Sequence, residues 1–392
     1  MNRINLIFSM IVSDKFWSLL FTVLPGVNRV VLFFIVSHVV TTHTFALFSS
    51  VYSIAVIISM IGGVGVGTVI LKNNTEFGML GFVKATIIGF VTSLCSALII
   101  LFFFKDLLSS SWLGLIILSV GLIMNQILRY MIVLNKNFKI GALNELVLML
   151  PSLIFLMMSR MDLISILGIM YIIQSLLIVL IFFKNSNNPK LSSFKGTFYI
   201  GNSNLISSGI LYFLPMIAFS LSGAEITSII SLMVTAAGII TVFPRAMLNL
   251  KVKDFHLILL NNKDEYHEQS RTFKKQILYI MMLGFVAMIS YVYIAAKDAS
   301  TIEILIVGLC IFSFISVGQY SIIESTLINL VGKEKLSLLL NAITFTIFII
   351  MYYVMHKFIS FPPLIAIVIL SGTVLMAYYV RYFIMKKVLA EV

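Results

Sequence analysis

The sequence predicts an all-α polytopic membrane protein with twelve transmembrane helices, on three observations. The chain has 392 residues, of which 60% are hydrophobic and only 11% are charged. Soluble domains, by comparison, carry about 25% charged residues. The mean hydropathy of the chain is +1.09. The apolar residues also fall into runs of about 20, the length that an α-helix needs to cross the hydrocarbon core of a bilayer.

The twelve spans follow from the apolar runs and the polar residues between them. Their ranges are 16–40, 45–71, 82–104, 112–133, 141–159, 163–183, 198–220, 225–248, 276–296, 302–331, 336–356 and 362–385. The junctions near 41–45 and 221–225 are short enough to predict tight helical hairpins. The tenth span is long enough to predict tilt or a kink.

The basic residues predict the orientation of the chain. Of its 27 Lys and Arg residues, 22 lie on one side of the predicted membrane and Arg29 lies within it. The opposite side has only Lys105, Arg160, Lys297 and Lys357. This bias predicts a multi-pass protein with both termini in the cytoplasm. The net charge of +12 is scattered over short loops and forms no basic stripe, so no nucleic-acid partner is expected.

A polar, turn-rich stretch divides the spans into two sets of six. We predict an N-terminal six-helix bundle over 1–184, a cytoplasmic linker over 185–197 and a C-terminal six-helix bundle over 198–392. The two bundles have the same topology, which suggests an internal duplication. The segment 249–275 mixes charged and apolar residues. It predicts either an amphipathic helix at the cytoplasmic membrane surface or a simple linker.

Arg29 is the most informative residue, because it lies in the middle of the first span. A charge at that depth costs about 2.5–3.5 kcal/mol on insertion scales and is expected to face protein or water. A helix break at Pro25 and Gly26 would expose amides beside it, and with Asn28 these would favour an anion. The alternatives are a fixed salt bridge to Glu324 or Glu145, and snorkelling.

Other polar residues near or within the spans have two interpretations each. Glu324 is predicted either to carry a proton for ion coupling or to pair permanently with Arg29 or Arg129. Arg129 and Arg245 either contact cargo or snorkel to the inner interface. The remaining candidates for cargo contact are polar side chains within the spans: Gln126, Gln319 and Tyr320.

No catalytic or metal-ligating arrangement stands out in the sequence. The histidines have no ligand spacing, and no Ser/His/Asp or paired-carboxylate pattern is present, so we expect no enzyme activity, no metal and no cofactor. The glycine-rich run over 62–67 lies within the second span and has no Lys-Ser or Lys-Thr after it. It therefore predicts close helix packing, with some hinge bending, and not a phosphate-binding loop.

Several local features resemble one transporter family. Residues 13–16 (Ser-Asp-Lys-Phe) lead into the first helix, residues 42–49 follow the short first hairpin, and the glycine-rich run ends the second helix. Residues 134–139 (Leu-Asn-Lys-Asn-Phe-Lys) follow the fourth helix. Together these features resemble O-antigen flippases of the Wzx type, in the multidrug/oligosaccharidyl-lipid/polysaccharide (MOP) exporter superfamily.

The resemblance implies two six-helix bundles in a V-shaped arrangement around a central cationic cavity. It also implies alternating-access transport of undecaprenyl-diphosphate-linked oligosaccharide repeat units from the cytoplasmic to the periplasmic leaflet of a bacterial inner membrane. Arg29 is the residue that fits the cationic cavity. The expected partners are this lipid-linked oligosaccharide, membrane lipids and other polysaccharide-assembly proteins of the membrane, and the chain is expected to be a monomer.

Two other functions compete with this interpretation. A cation-coupled drug exporter of the same superfamily would need cavity carboxylates, for which Glu145 and Glu324 are the candidates. A membrane glycosyltransferase or polymerase would need a large external loop, whereas the connections on that face are short. The charge of Arg29 favours the flippase over the exporter.

Overall fold

The computed structural model describes residues 14–73, 78–103, 111–155, 162–183, 196–198, 200–202, 209–296, 299–358 and 362–391. Throughout these ranges the regular structure is helical, without strands. Packing divides the chain into two compact units, Met1–Met216 and Ile217–Val392.

The first unit contains the helices of the predicted spans one to six. They are α1 (Asp14–Val39), α2 (Thr42–Ser59), a π-helix (Met60–Val64), α3 (Gly65–Asn73), α4 (Met79–Phe103), α5 (Trp112–Leu134), α6 (Phe138–Leu148), α7 (Leu150–Phe155) and α8 (Leu163–Phe182). Helix α9 (Ile210–Ser222) begins in this unit and ends in the second.

The second unit continues with long helices. They are α10 (Ala224–Ile240), α11 (Val242–Asn261), α12 (Lys263–Ala295), α13 (Thr301–Tyr320), α14 (Ile322–Leu330), α15 (Glu334–Phe358) and α16 (Pro363–Ala390). The predicted kink in the tenth span is the break between α13 and α14. The predicted hairpin near 221–225 is closed by Gly223, whose φ of 76° favours glycine.

The prediction of an all-α polytopic membrane protein is confirmed. Nine helices among the described residues are long and apolar enough to cross a membrane by length and composition. Two shorter apolar helices, Met79–Leu94 and Ile210–Leu221, overlap with the predicted third and seventh spans. The predicted fifth span coincides with α6 and α7, so every predicted span overlaps with helix.

The boundary between the units differs from the predicted one. It lies after Met216, about 20 residues beyond the end of the predicted linker, of which 185–195 falls outside the described residues. The reason is close backbone packing: a Cβ on Gly201 would lie 2.1 Å from the Ile61 carbonyl oxygen, and one on Gly65 would lie 2.7 Å from that of Thr197. Thr197 and Gly201 therefore pack against the second span and belong to the first unit.

Helix α1 runs unbroken through Pro25, so the predicted break that would expose backbone amides is absent. Proline has no amide proton, and it therefore leaves the carbonyl four residues earlier, that of Phe21, without its helical partner. The Arg129 guanidinium donates to that carbonyl oxygen through Nη2 at 3.4 Å and lies 5.0 Å from the Phe21 ring centre. A side chain from α5 thus replaces the missing hydrogen bond.

The glycine-rich run packs as the sequence predicts. Its first part forms the π-helix, which interrupts the second span between α2 and α3. A Cβ on Gly62 would lie 2.2 Å from the Gly89 carbonyl oxygen, and one on Gly67 would lie 2.0 Å from the Tyr130 ring. Because these distances are far below van der Waals contact, helices α4 and α5 can come this close to the second span here only because these positions lack side chains.

We therefore expect Gly62→Ala to destabilise the protein by about 1–3 kcal/mol, because the added methyl group meets backbone that cannot rotate away. Gly372→Ala is the matched control, since Gly372 lies within α16 and a Cβ there meets nothing within 4 Å. That change is expected to stabilise the protein by about 0.5–1 kcal/mol through helix propensity. Thermal unfolding in detergent measures both, and equal effects of the two substitutions would contradict the packing argument.

The segment 249–275 forms the end of α11 and the beginning of α12. Its aromatic side chains pack against one another, with ring centres of Phe255 and Phe273 at 5.4 Å and those of Phe255 and Tyr266 at 6.5 Å. All three are buried. The segment is therefore a helical hairpin within the second unit, and its predicted position at the cytoplasmic membrane surface stays a prediction.

Candidate functional site

The first candidate site is centred on Arg29 in the first unit. The guanidinium donates through Nη1 to the Tyr212 hydroxyl at 2.8 Å. Its Cζ lies 5.1 Å from the Tyr212 ring centre and 5.8 Å from that of Tyr52. The Nε atom is buried and has no hydrogen-bond partner among the described residues. Aromatic rings thus hold the cation, and one of its donors is unused.

Within the described part of the first unit, Arg29 forms no ion pair with a carboxylate. Glu145, one of the two predicted partners, pairs instead with Arg129, with 3.8 Å between Arg129 Nε and Glu145 Oε1. The other predicted partner, Glu324, pairs with Lys274. The fixed salt bridge to Glu145 that the sequence left open is therefore not formed, and the positive charge of Arg29 is not neutralised by the described residues of its unit.

Asn28 links α1 to the Glu145 cluster. Its side-chain amide donates to the Glu145 carbonyl oxygen at 2.6 Å and to the Glu145 carboxylate at 3.2 Å. Both residues are buried, with 8% and 2% of their surfaces exposed. Together with Arg129, these contacts fix α1 against α5 and α6. Asn28 and Arg129 therefore act next to Arg29 as structural contacts that fix its helix in place.

A narrow crevice runs beside Arg29. It is lined by residues of α1, α6, α7 and α8, including Arg29, Ser152 and Tyr171, and its volume of about 10 Å³ is the space of one water molecule. The Tyr171 hydroxyl interacts electrostatically with Arg29 and Tyr52. Three tyrosines therefore surround the guanidinium, and on this side only a small polar group can reach it.

The second cluster lies in the second unit around Glu324. Lys274 donates to the Glu324 carboxylate and, at 3.2 Å, to the Tyr382 hydroxyl. Its Nζ lies 4.9 Å from the ring centres of both Tyr382 and Tyr320. The side chains of Lys274 and Glu324 are only 9% and 3% exposed. Glu324 is therefore paired with Lys274 and not with either of the predicted arginines, and its role in ion coupling stays a prediction.

The remaining predicted site residues occupy different surroundings. Arg245 is exposed near the start of α11, and Tyr320 is 41% exposed. Gln319 is buried, and its Oε1 has no partner among the described residues. Gln126 is half-buried, and a Cβ added to Gly63 would lie 2.8 Å from the Cβ of Gln126. Of these four, only Tyr320 belongs to one of the two clusters.

Five residues of these clusters were not predicted, namely Tyr52, Tyr171, Tyr212, Lys274 and Tyr382. Of these, Lys274 has a local signal and Tyr52 has none. Lys274 is three residues before the buried Ile277, so it shares a helix face with an apolar position. Tyr52 lies in the second span, on a helix whose described side chains are mostly buried. A tyrosine in such a buried position is common in protein cores, and nothing in the neighbouring sequence indicates that its ring faces Arg29.

No protein-family model matches the sequence, and no curated protein is significantly similar to it. Solved structures do resemble the fold. A MOP superfamily transporter from Pyrococcus furiosus is 14% identical with a TM-score of 0.55, over 95% of this chain and 94% of that one.

A multidrug resistance MATE family transporter of the same superfamily is also similar. Its inward-facing conformation is 12% identical with a TM-score of 0.52, over 94% of this chain and 96% of that one. Its outward-facing conformation is 13% identical with a TM-score of 0.51, over 96% of each chain. The chain therefore has the fold of MOP superfamily transporters.

Proposed function

We propose that this protein is a flippase that moves undecaprenyl-diphosphate-linked O-antigen repeat units from the cytoplasmic to the periplasmic leaflet by alternating access. The observation that carries this proposal is the state of Arg29, a cation within a membrane span that has no carboxylate partner among the described residues of its unit. A charge in that position is costly, and an anion that binds there would lower the cost.

The geometry of Arg29 suits a diphosphate. Tyr212 occupies Nη1, so Nε remains on the edge of the guanidinium with which arginine forms paired hydrogen bonds to phosphate oxygens. Tyr52 and Tyr212 would lie beside the first sugar and offer ring faces and hydroxyl groups, because the crevice lined by Tyr171 has room only for a small polar group. The buried cluster of Asn28, Glu145 and Arg129 would hold α1 rigid while the cargo binds.

The structural neighbours support two parts of this proposal. The Pyrococcus furiosus protein is described as a MOP transporter in which the reverse polarity of the binding pocket suggests a different function. The MATE transporter is described in inward-facing and outward-facing conformations. The same fold thus accommodates binding pockets of opposite polarity and both states of an alternating-access cycle.

A multidrug exporter of the same superfamily is the second candidate, because the multidrug transporters share the fold. A cationic drug would need an available carboxylate. The two carboxylates that the sequence offered are each paired with a cation, Glu145 with Arg129 and Glu324 with Lys274. The positive charge of Arg29 would also repel such a cargo, and we therefore favour the anionic one.

The experiment is a leaflet-transfer assay in reconstituted vesicles, with a fluorescent polyprenyl-diphosphate oligosaccharide and a cationic dye as alternative cargoes. We expect transfer of the diphosphate lipid to depend on the protein, because its head group cannot cross about 30 Å of hydrocarbon unaided. We expect no transfer of the dye, because the positive charge of Arg29 would repel it. Transfer of a polyprenyl oligosaccharide that lacks the diphosphate should be slower. Dye transport without diphosphate transfer would overturn the proposal in favour of the exporter.

A further inference from the structure

A cavity of about 290 Å³ lies within the second unit. It is enclosed by the end of α11, the first turns of α12 and the last turns of α16, with α13 and α14 contributing one residue each. Its lining is mostly polar, and five of the lining side chains are basic. The volume is more than that of several water molecules and suits a small polar head group.

The outer part of this cavity is basic. His267, Arg271 and Lys386 are exposed, and none of them forms an ion pair with the described residues. Lys263 is also exposed and donates to the Ala390 carbonyl oxygen at 3.1 Å, which joins the start of α12 to the end of α16. Arg271 and Lys386 come from different helices, so two cations converge on one opening.

The inner part of the cavity has a different chemistry. Glu324 is 2% exposed, and Lys274 binds its Oε1, while its Oε2 has no partner among the described residues. Because this buried oxygen can only accept hydrogen bonds, it indicates a ligand that donates one, such as a hydroxyl group. The rings of Tyr320 and Tyr382 are 5.6 Å apart between centres and form an aromatic wall beside it.

We propose that this cavity binds a phosphate ester that carries free hydroxyl groups. The phosphate would lie at the outer part, between Arg271 and Lys386, and a hydroxyl group would donate to Glu324 Oε2 at the inner part. A metal ion does not fit, because Glu324 is the only carboxylate among the described lining residues and Lys274 already neutralises it. The site is in the second unit and does not depend on the function proposed for Arg29.

Two sources supply this chemistry, namely the head group of a phosphoglycerol lipid and a soluble polyol phosphate. Native mass spectrometry of the full chain in detergent would measure binding of short-chain phosphatidylglycerol, phosphatidic acid and phosphatidylcholine. Thermal unfolding with sn-glycerol 1-phosphate tests the soluble source, because a ligand that binds the native state raises the unfolding temperature. Binding of phosphatidylglycerol alone assigns the lipid source, and a shift with glycerol phosphate assigns the soluble one.

The decisive comparison uses two double variants that remove the same charge from the same two helices. Arg271→Ala/Lys386→Ala removes cations that line the cavity, whereas Lys275→Ala/Lys387→Ala removes exposed cations that do not. We expect the first pair to weaken binding at least tenfold and the second to leave it within about twofold. All four positions are exposed and should tolerate alanine, and the unfolding temperature without ligand checks this.

Three results would overturn the assignment. Failure of phosphatidylglycerol and of glycerol phosphate to bind the wild-type protein would exclude the site. An equal loss of binding in the two double variants would mean that unspecific attraction between opposite charges, and not the proposed site, holds the ligand. Phosphatidic acid bound as tightly as phosphatidylglycerol would remove the role of the hydroxyl group. Leaflet transfer of the diphosphate lipid is measured separately, so the two proposals fail independently.

Discussion

Replacing Arg29 with alanine is expected to reduce leaflet transfer of the diphosphate-linked oligosaccharide about 10- to 100-fold. A hydrogen bond to a charged group contributes about 1.5–3 kcal/mol, and each 1.4 kcal/mol corresponds to a factor of about ten. The unfolding free energy should change by no more than about 2 kcal/mol. Among the described residues of the first unit, the substitution removes the hydrogen bond to Tyr212 and the interactions of the guanidinium with two aromatic rings.

Two further variants separate charge from geometry at this position. Arg29→Lys keeps the charge but not the planar, paired donors. We therefore expect its transfer rate to lie between the rates of the wild type and the alanine variant. Tyr212→Phe removes the hydroxyl group that occupies Nη1 and keeps the ring, and transfer should fall by less than about tenfold. Lys72→Ala is the control, because Lys72 is an exposed cation in the last turn of α3.

One result would contradict the proposal that Arg29 binds cargo. If Arg29→Ala is expressed, folded and transfers the diphosphate lipid at the wild-type rate, the guanidinium does not bind cargo. A large loss of stability, with transfer reduced only in proportion to the folded fraction, would instead assign Arg29 a structural role. Measuring both quantities on the same preparation distinguishes these results.

Hydropathy predicted the helices well, because burial in lipid requires continuous apolar runs whatever the tertiary contacts are. The hairpins before Thr42 and at Gly223 and the packing of Gly62 were also predictable, since each depends on a few adjacent residues. The continuity of α1 through Pro25 was not. The carbonyl that Pro25 leaves without a helical partner is bound by Arg129, which is 108 residues away, and no local pattern shows such a contact.

The charged residues were harder to predict than the helices. The sequence predicts Lys274 in a cytoplasmic segment outside the membrane spans, because the hydropathy of α12 is low in its first turns. That helix has 33 residues and is about 50 Å long, so it extends beyond the hydrocarbon while staying packed. Glu324 therefore finds its cation in a part of α12 that hydropathy places outside the membrane. The pairing depends on helix length and packing, which hydropathy does not describe.

The buried pair of Lys274 and Glu324 should have the largest effect on stability in the chain. Removing one partner leaves an uncompensated buried charge, which costs about 3–5 kcal/mol. We expect Lys274→Met to lower the unfolding temperature in detergent strongly, because the Glu324 carboxylate then loses its cation in a site where it is 3% exposed. Arg129→Met should cost less, because Arg129 is 21% exposed and lies 3.8 Å from Glu145.

The double variant Lys274→Met/Glu324→Leu is the critical measurement. Replacing both charges by apolar side chains of similar volume removes the uncompensated charge and is often neutral or stabilising by about 1–4 kcal/mol. We therefore expect it to recover most of the stability that Lys274→Met loses, and the coupling between the two sites to exceed about 1 kcal/mol. Additive losses in the double variant would mean that the two side chains act independently. In that case Glu324 would be stabilised by its other surroundings, and Tyr382, which accepts from Lys274 at 3.2 Å, would be the next residue to replace.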